Sequence, residues 1–132
     1  MNHAGYRLLL DSLRIRESRE NSSPVKASVA GGPVNYELLY EMAEYHAVRP
    51  QLLAYLLHNY NGEPVPAEFS TRLQDACRDN LVEQIERVKE FFRIRENLNA
   101  HSVTAVPFKG FWLAAKYFGN LAARESSDTD LF

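Results

Sequence analysis

The sequence predicts an α+β chain: a mostly helical front with one long helix, leading into a short β-α-β segment at its end. Two observations carry this. From Pro66 to about Asn99, apolar residues Phe69, Leu73, Cys77, Leu81, Ile85, Val88, Phe92 and Leu98 recur mostly at steps of three or four, with no interior Gly or Pro. After "NAHS" the period changes, because "VTAVPF" is rich in β-branched and aromatic residues that fit a pleated strand. The expected organisation is a helical region over 1–101 and an incomplete α/β domain beginning at 102–132.

The elements follow in chain order. In "GYRLLLDSLRIRES", Tyr6, Leu9, Leu10, Leu13 and Ile15 fall near one side of a helix, with Arg7, Asp11, Arg14 and Arg16 toward the other. "ENSSPVKASVAGGPVN" then gathers Ser, Pro and Gly, so a loop is expected, marked by Gly31, Gly32 and Pro33. Asn35 is placed to cap a second helix, whose early Glu37 and Glu41 suit the positive end of its dipole and whose apolar residues are Leu38, Leu39, Met42, Ala43 and Tyr45. Pro50 opens a third helix, where its missing N–H is not needed, and Gly62 and Pro64 stop it. These two helices read as an αα-hairpin. The long periodic stretch then makes roughly nine helical turns. Pro107 cannot donate to a ladder and belongs at a strand edge or end. Gly110 opens a further helix that Gly119 closes, and "SDTDLF" supplies the second strand.

Composition bounds the function classes. The chain has 132 residues, 45% hydrophobic and 24% charged, enough for one modest core. A formal net charge of -2 gives no global basic field, so nonspecific binding to nucleic acid by phosphate neutralisation is not indicated. No apolar run approaches the roughly 20 residues of a membrane span. The single cysteine, Cys77, cannot form an internal disulfide, which points to a reducing cytoplasm. The four histidines lack metal-ligand spacing, and Tyr36, Tyr40, Tyr45, Tyr55 and Tyr60 read as packing and rim residues before a base-stacking surface.

Chemistry concentrates in the tail. A glycine between strand and helix lets an anion approach backbone N–H groups, and Lys109 sets a cation beside Gly110. Asp128 and Asp130, two residues apart on an expected strand, point to one face and can share a hard cation such as Mg²⁺. Like charges so close call for a partner. Arg124 is placed to pair with Asp128 or Glu125.

The segment "PFKGFWLAAKYFGNLAARESSDTDLF" resembles the uncharacterised nucleotidyltransferase family of bacteria, within the DNA polymerase beta-like superfamily. Lys109-Gly110, Tyr117, Gly119, Arg124 and Asp128-x-Asp130-Leu131 match the family's L-K-G, Y-G, Arg and D-I-D-L pattern, and the helical front is similar in layout. The resemblance implies transfer of a nucleoside monophosphate from an NTP substrate to an acceptor that it leaves open. Asp128 and Asp130 would be the catalytic, metal-holding carboxylates for Mg²⁺, with Lys109, Gly110 and Arg124 toward the nucleotide phosphates. Phe111 stands where the superfamily has Gly or Ser after its turn glycine, and Thr129 replaces the usual apolar residue between the aspartates. The superfamily's third carboxylate lies on a later strand that this sequence does not reach. The expectation is therefore an incomplete catalytic domain with little or no turnover of its own. The alternative is a noncatalytic helical interaction module or a degenerate fragment.

Overall fold

A computed structural model of the chain describes residues 3–14, 33–128, 130 and 131. The loop residues expected up to Gly32, together with Ile15, Thr129 and Phe132, lie outside these. The chain forms two compact units, Met1–Asp75 and Ala76–Phe132.

The first unit contains α1 (His3–Arg14), α2 (Tyr36–Tyr45), α3 (Arg49–His58) and the opening turns of α4 (Ala67–Ala100). α1, α2 and α3 pack on one another. α1 buries Ala4, Leu8, Leu9 and Ser12, with the Ser12 hydroxyl donating to the Leu9 carbonyl at 2.6 Å. This face is rotated from the expected one, since Tyr6 and Leu13 are exposed. Asn35 caps α2 through its Oδ1, which accepts from the Leu38 N–H at 3.1 Å. Leu39, Tyr40 and Ala43 are buried in α2, while Tyr45 is on the surface. Leu52 and Tyr55 of α3 and Phe69 and Leu73 of α4 complete the core. At its edge the Arg72 guanidinium lies 3.8 Å from the centre of the Tyr40 ring and bridges to Glu37 at 2.7 Å. The tyrosines mainly pack: Tyr36 tilts on Phe69 at 4.9 Å and Tyr55 on Tyr60 at 6.1 Å.

α2 and α4 end alike. Ala47 (φ 54°) and Ser102 (φ 60°) take left-handed conformations. The following N–H of Val48 donates to Ala43 and that of Val103 to Leu98, each at 2.9 Å, so orphan carbonyls are satisfied without glycine.

The second unit corrects the expected fold class. Among the described residues there is no β-α-β and no sheet, so the α+β class does not hold and the architecture is helical. In place of two strands, Pro107 and Leu131 form one isolated antiparallel bridge, with the Phe108 N–H donating to the Asp130 carbonyl at 2.9 Å. Pro107 contributes no donor, and two short extended segments without further strands do not sustain a ladder. Between them, α5 (Phe111–Leu113) is a single turn that widens into a π-helical turn over Ala114–Phe118. Gly119 ends it in a left-handed conformation (φ 67°), as expected of a C-cap, and its N–H donates to the Ala115 carbonyl at 3.0 Å. A 3₁₀ turn, Leu121–Ala123, follows. No helix of the described residues is long and apolar enough to cross a membrane.

Candidate functional site

The site begins with α4. Its buried positions run Phe69, Leu73, Asn80, Gln84 and Phe91, a stripe at helical spacing. The apolar residues one position further round, Leu81, Ile85 and Phe92, are exposed. In the second unit, then, α4 turns two amides inward. Gln84 is 0% exposed and Asn80 6%.

Burying amides is costly unless they are hydrogen-bonded, and both find partners in the 3₁₀ turn and the chain that follows it. Asn80 Nδ2 donates to the Ala122 carbonyl at 3.2 Å. Gln84 Nε2 donates to the Ser126 carbonyl at 3.0 Å and to Asn80 Oδ1 at 3.3 Å. Gln84 Oε1 accepts from the Ser126 hydroxyl at 3.1 Å. Asn120 caps the turn itself, its Oδ1 accepting from the Ala122 N–H at 2.9 Å. Phe91 meets Phe111 ring to ring in a tilted contact at 5.4 Å, which seats the first turn of α5 on the same helix.

From Ser126 the chain runs out to Asp128, which is exposed, and on to Asp130. Asp130 Oδ2 lies 2.7 Å from Lys109 Nζ. The hydrogen bond and charge of Asp130 raise the Lys109 pKa above the ordinary lysine value; Asp128 adds to this and Arg124 opposes it. Lys109, Arg124, Asp128 and Asp130 thus share one electrostatic neighbourhood, at a surface where Lys109 and Asp130 are about half-exposed. Gly110, next in the chain, is buried and has φ 64° and ψ -132°, a conformation that favours glycine. The strand expected to turn Asp128 and Asp130 to one face does not form among the described residues, and Thr129 between them lies outside these.

The donor set suits a hard cation. Mg²⁺ is commonly bound by one or two carboxylates with water and substrate phosphates completing its shell, and Asp128 and Asp130 offer oxygens of that kind to solvent. The ammonium of Lys109 already sits on Asp130 as a cation. Among the described residues no three His, Cys, Asp or Glu side chains converge into a metal cage, so the remaining ligands would be phosphate and water.

The sequence pattern described as uncharacterised nucleotidyltransferase matches residues 32–132. The chain belongs to this family. No curated protein and no solved structure matches it. The match to the nucleotidyltransferase family takes in α2, α3 and α4 as well as the tail, so the resemblance of the helical front extends beyond layout. Sequence reasoning missed Asn80, Gln84 and Ser126. The available signal was the pair of amides four residues apart on the stripe that Leu73 begins; Leu81 and Ile85 beside them offered an uninterrupted apolar stripe instead.

Proposed function

We propose that this member of the nucleotidyltransferase family binds the triphosphate of an NTP with Mg²⁺ at Asp128 and Asp130, for transfer of the nucleoside monophosphate to an acceptor hydroxyl. The observation that carries the reading is the Lys109–Asp130 ion pair with Asp128 and Arg124 in its field. Two carboxylates and two cations on one half-exposed surface suit a polyanion that arrives with its own counter-ion. Mg²⁺, when bound, would neutralise the triphosphate and polarise the α-phosphorus.

The residues would then act on the phosphates. Asp128 and Asp130 would hold the cation, and Lys109, which pairs with Asp130 in its absence, would face the phosphate charge together with Arg124. The acceptor oxygen bonds to the α-phosphorus while the bond to the bridging oxygen breaks. Pyrophosphate leaves with that electron pair, and the acceptor proton passes to water. Cys77, the single cysteine, is in no disulfide, which suits a cytoplasmic setting.

Calorimetric titration with an NTP should show Mg²⁺-dependent binding to the chain that disappears in Asp128→Ala and Asp130→Ala. Binding that survives both substitutions would sink the assigned site. A second reading, a helical interaction module, draws on the exposure of Val103, Val106, Phe108, Trp112 and Tyr117 in the second unit. It would gain from self-association together with a lack of NTP affinity in the same samples.

A further inference from the structure

Among the described residues no sheet supports the segment that carries Asp128 and Asp130. Its ties to the rest of its unit include the bridge at Leu131, the Phe108–Asp130 backbone bond, the Lys109–Asp130 ion pair and the amides of α4. We propose that Gln84, assisted by Asn80, is the positioning residue for this pair of aspartates, fixing the chain at Ala122 and Ser126 so that both carboxylates are presented to one metal–nucleotide complex. The inference rests on the metal-binding reading above.

Three features carry it. Gln84 is wholly buried, and both ends of its amide are used on the same residue, Ser126: Nε2 on the carbonyl and Oε1 on the hydroxyl. A two-ended contact fixes orientation as well as distance, which a single bond does not. Next, Asn80 accepts from Gln84 while donating to Ala122, so the two amides form one connected network that holds both ends of the five-residue stretch from Ala122 to Ser126. A connected polar network whose members are paired with one another favours a single arrangement. Last, Ser126 is two residues from Asp128, and two extended residues span at most about 7 Å. Holding Ser126 therefore confines where the Asp128 carboxylate can go, and Lys109 with the Phe108 backbone confines Asp130 from the other side.

The alternative role for Gln84 is structural only. Leu81 and Ile85 show that apolar side chains were available on this helix but face solvent, while the amides face inward. The two roles separate in what a substitution changes. Gln84→Met keeps length and helix propensity but loses both bonds to Ser126. Binding of Mn²⁺ together with a nonhydrolysable ATP analogue, followed by the electron paramagnetic resonance of free Mn²⁺, reads the site without turnover. Far-UV circular dichroism on the same samples establishes that each variant is folded.

The expected result is a loss of Mn²⁺ affinity of about tenfold in folded Gln84→Met, at the low end for residues that orient metal ligands. Ser126→Ala, which keeps the backbone bond and removes only the hydroxyl, should lose less. If Gln84→Met does not fold, Ser126→Ala decides: a weakened affinity supports the inference and an unchanged one overturns it. Wild-type binding that Asp128→Ala abolishes but folded Gln84→Met leaves intact overturns the positioning role alone. A wild-type chain that does not take up Mn²⁺ overturns the metal-site reading and the positioning role with it.

Discussion

In the unit Met1–Asp75 the largest fully buried side chains are Leu39, Leu52 and Leu73, whereas in Ala76–Phe132 that place is taken by Gln84. The first unit excludes water with apolar area on four helical segments. The second keeps Phe91, Ala105, Phe111 and Ala114 inside but joins its long helix to its tail through amides, and leaves Val82, Phe92, Val106, Phe108 and Trp112 in solvent. Apolar burial scales with area and tolerates sliding, while hydrogen bonds are directional. The contrast separates a stable helical body from a segment whose geometry is specified more than it is buried, and the second kind is where a site needs to be.

The largest effect that tests the contrast is a cavity in the first unit. Leu52→Ala removes a side chain with no solvent exposure from the packing of α3, and should cost about 3 kcal/mol of unfolding free energy. Urea denaturation followed by circular dichroism measures it. A loss well under 1 kcal/mol would mean that this core is loose enough to collapse, and the difference between the two units would vanish.

The same unit has a pH signature. Tyr55 is 4% exposed, and its phenol pKa is raised above the ordinary tyrosine value, first by burial and then by the negative charges of Asp11 and Tyr60. The folded state therefore favours the neutral phenol, while the unfolded chain ionises at about 10. Stability from this source is fully present below the unfolded value and is lost as pH rises toward the folded one. Tyr55→Phe cannot ionise, so its unfolding midpoint in urea should fall less steeply than that of the wild type between pH 9 and pH 11. Parallel curves would remove Tyr55 as the cause.

How much of this was legible in the sequence depended on which force shaped each part. Asn35, Pro50 and Gly119 act locally, through a cap, a fixed φ and a left-handed turn, and their roles were readable from residue type. The span of α4 was readable for the same reason, since no Gly or Pro interrupts it. The left-handed caps at Ala47 and Ser102 gave no such sign, because non-glycine residues take a conformation usually signalled by Gly. The strands were overestimated: β-branched composition at Val103–Val106 speaks for pleated chain but supplies no partner, and Pro107 limits the one pairing that forms. At the candidate site, Lys109 and Asp130 meet, with Asp128 and Arg124 acting on the lysine; the amides that hold their segment escaped notice because periodicity weighs apolar residues and passes over a buried Gln.

That oversight leads to the smallest effect and the sharpest use of the contrast. Sequence periodicity puts Ile85 in the core of α4, whereas the structure leaves it 39% exposed beside the inward-facing Gln84. At this exposure Ile85→Gln exchanges one partly hydrated side chain for another of good helix propensity, and the unfolding free energy should move by about 0.5 kcal/mol or less. At a core position the same change would bury an unpaired amide in place of a branched apolar side chain, and the loss would be several times larger. Urea denaturation of this one variant distinguishes a helix that turns its apolar stripe inward from one that turns its amides inward. A small loss would leave Gln84 as the residue facing the tail, and with it the physical basis for holding Asp128 and Asp130 in place.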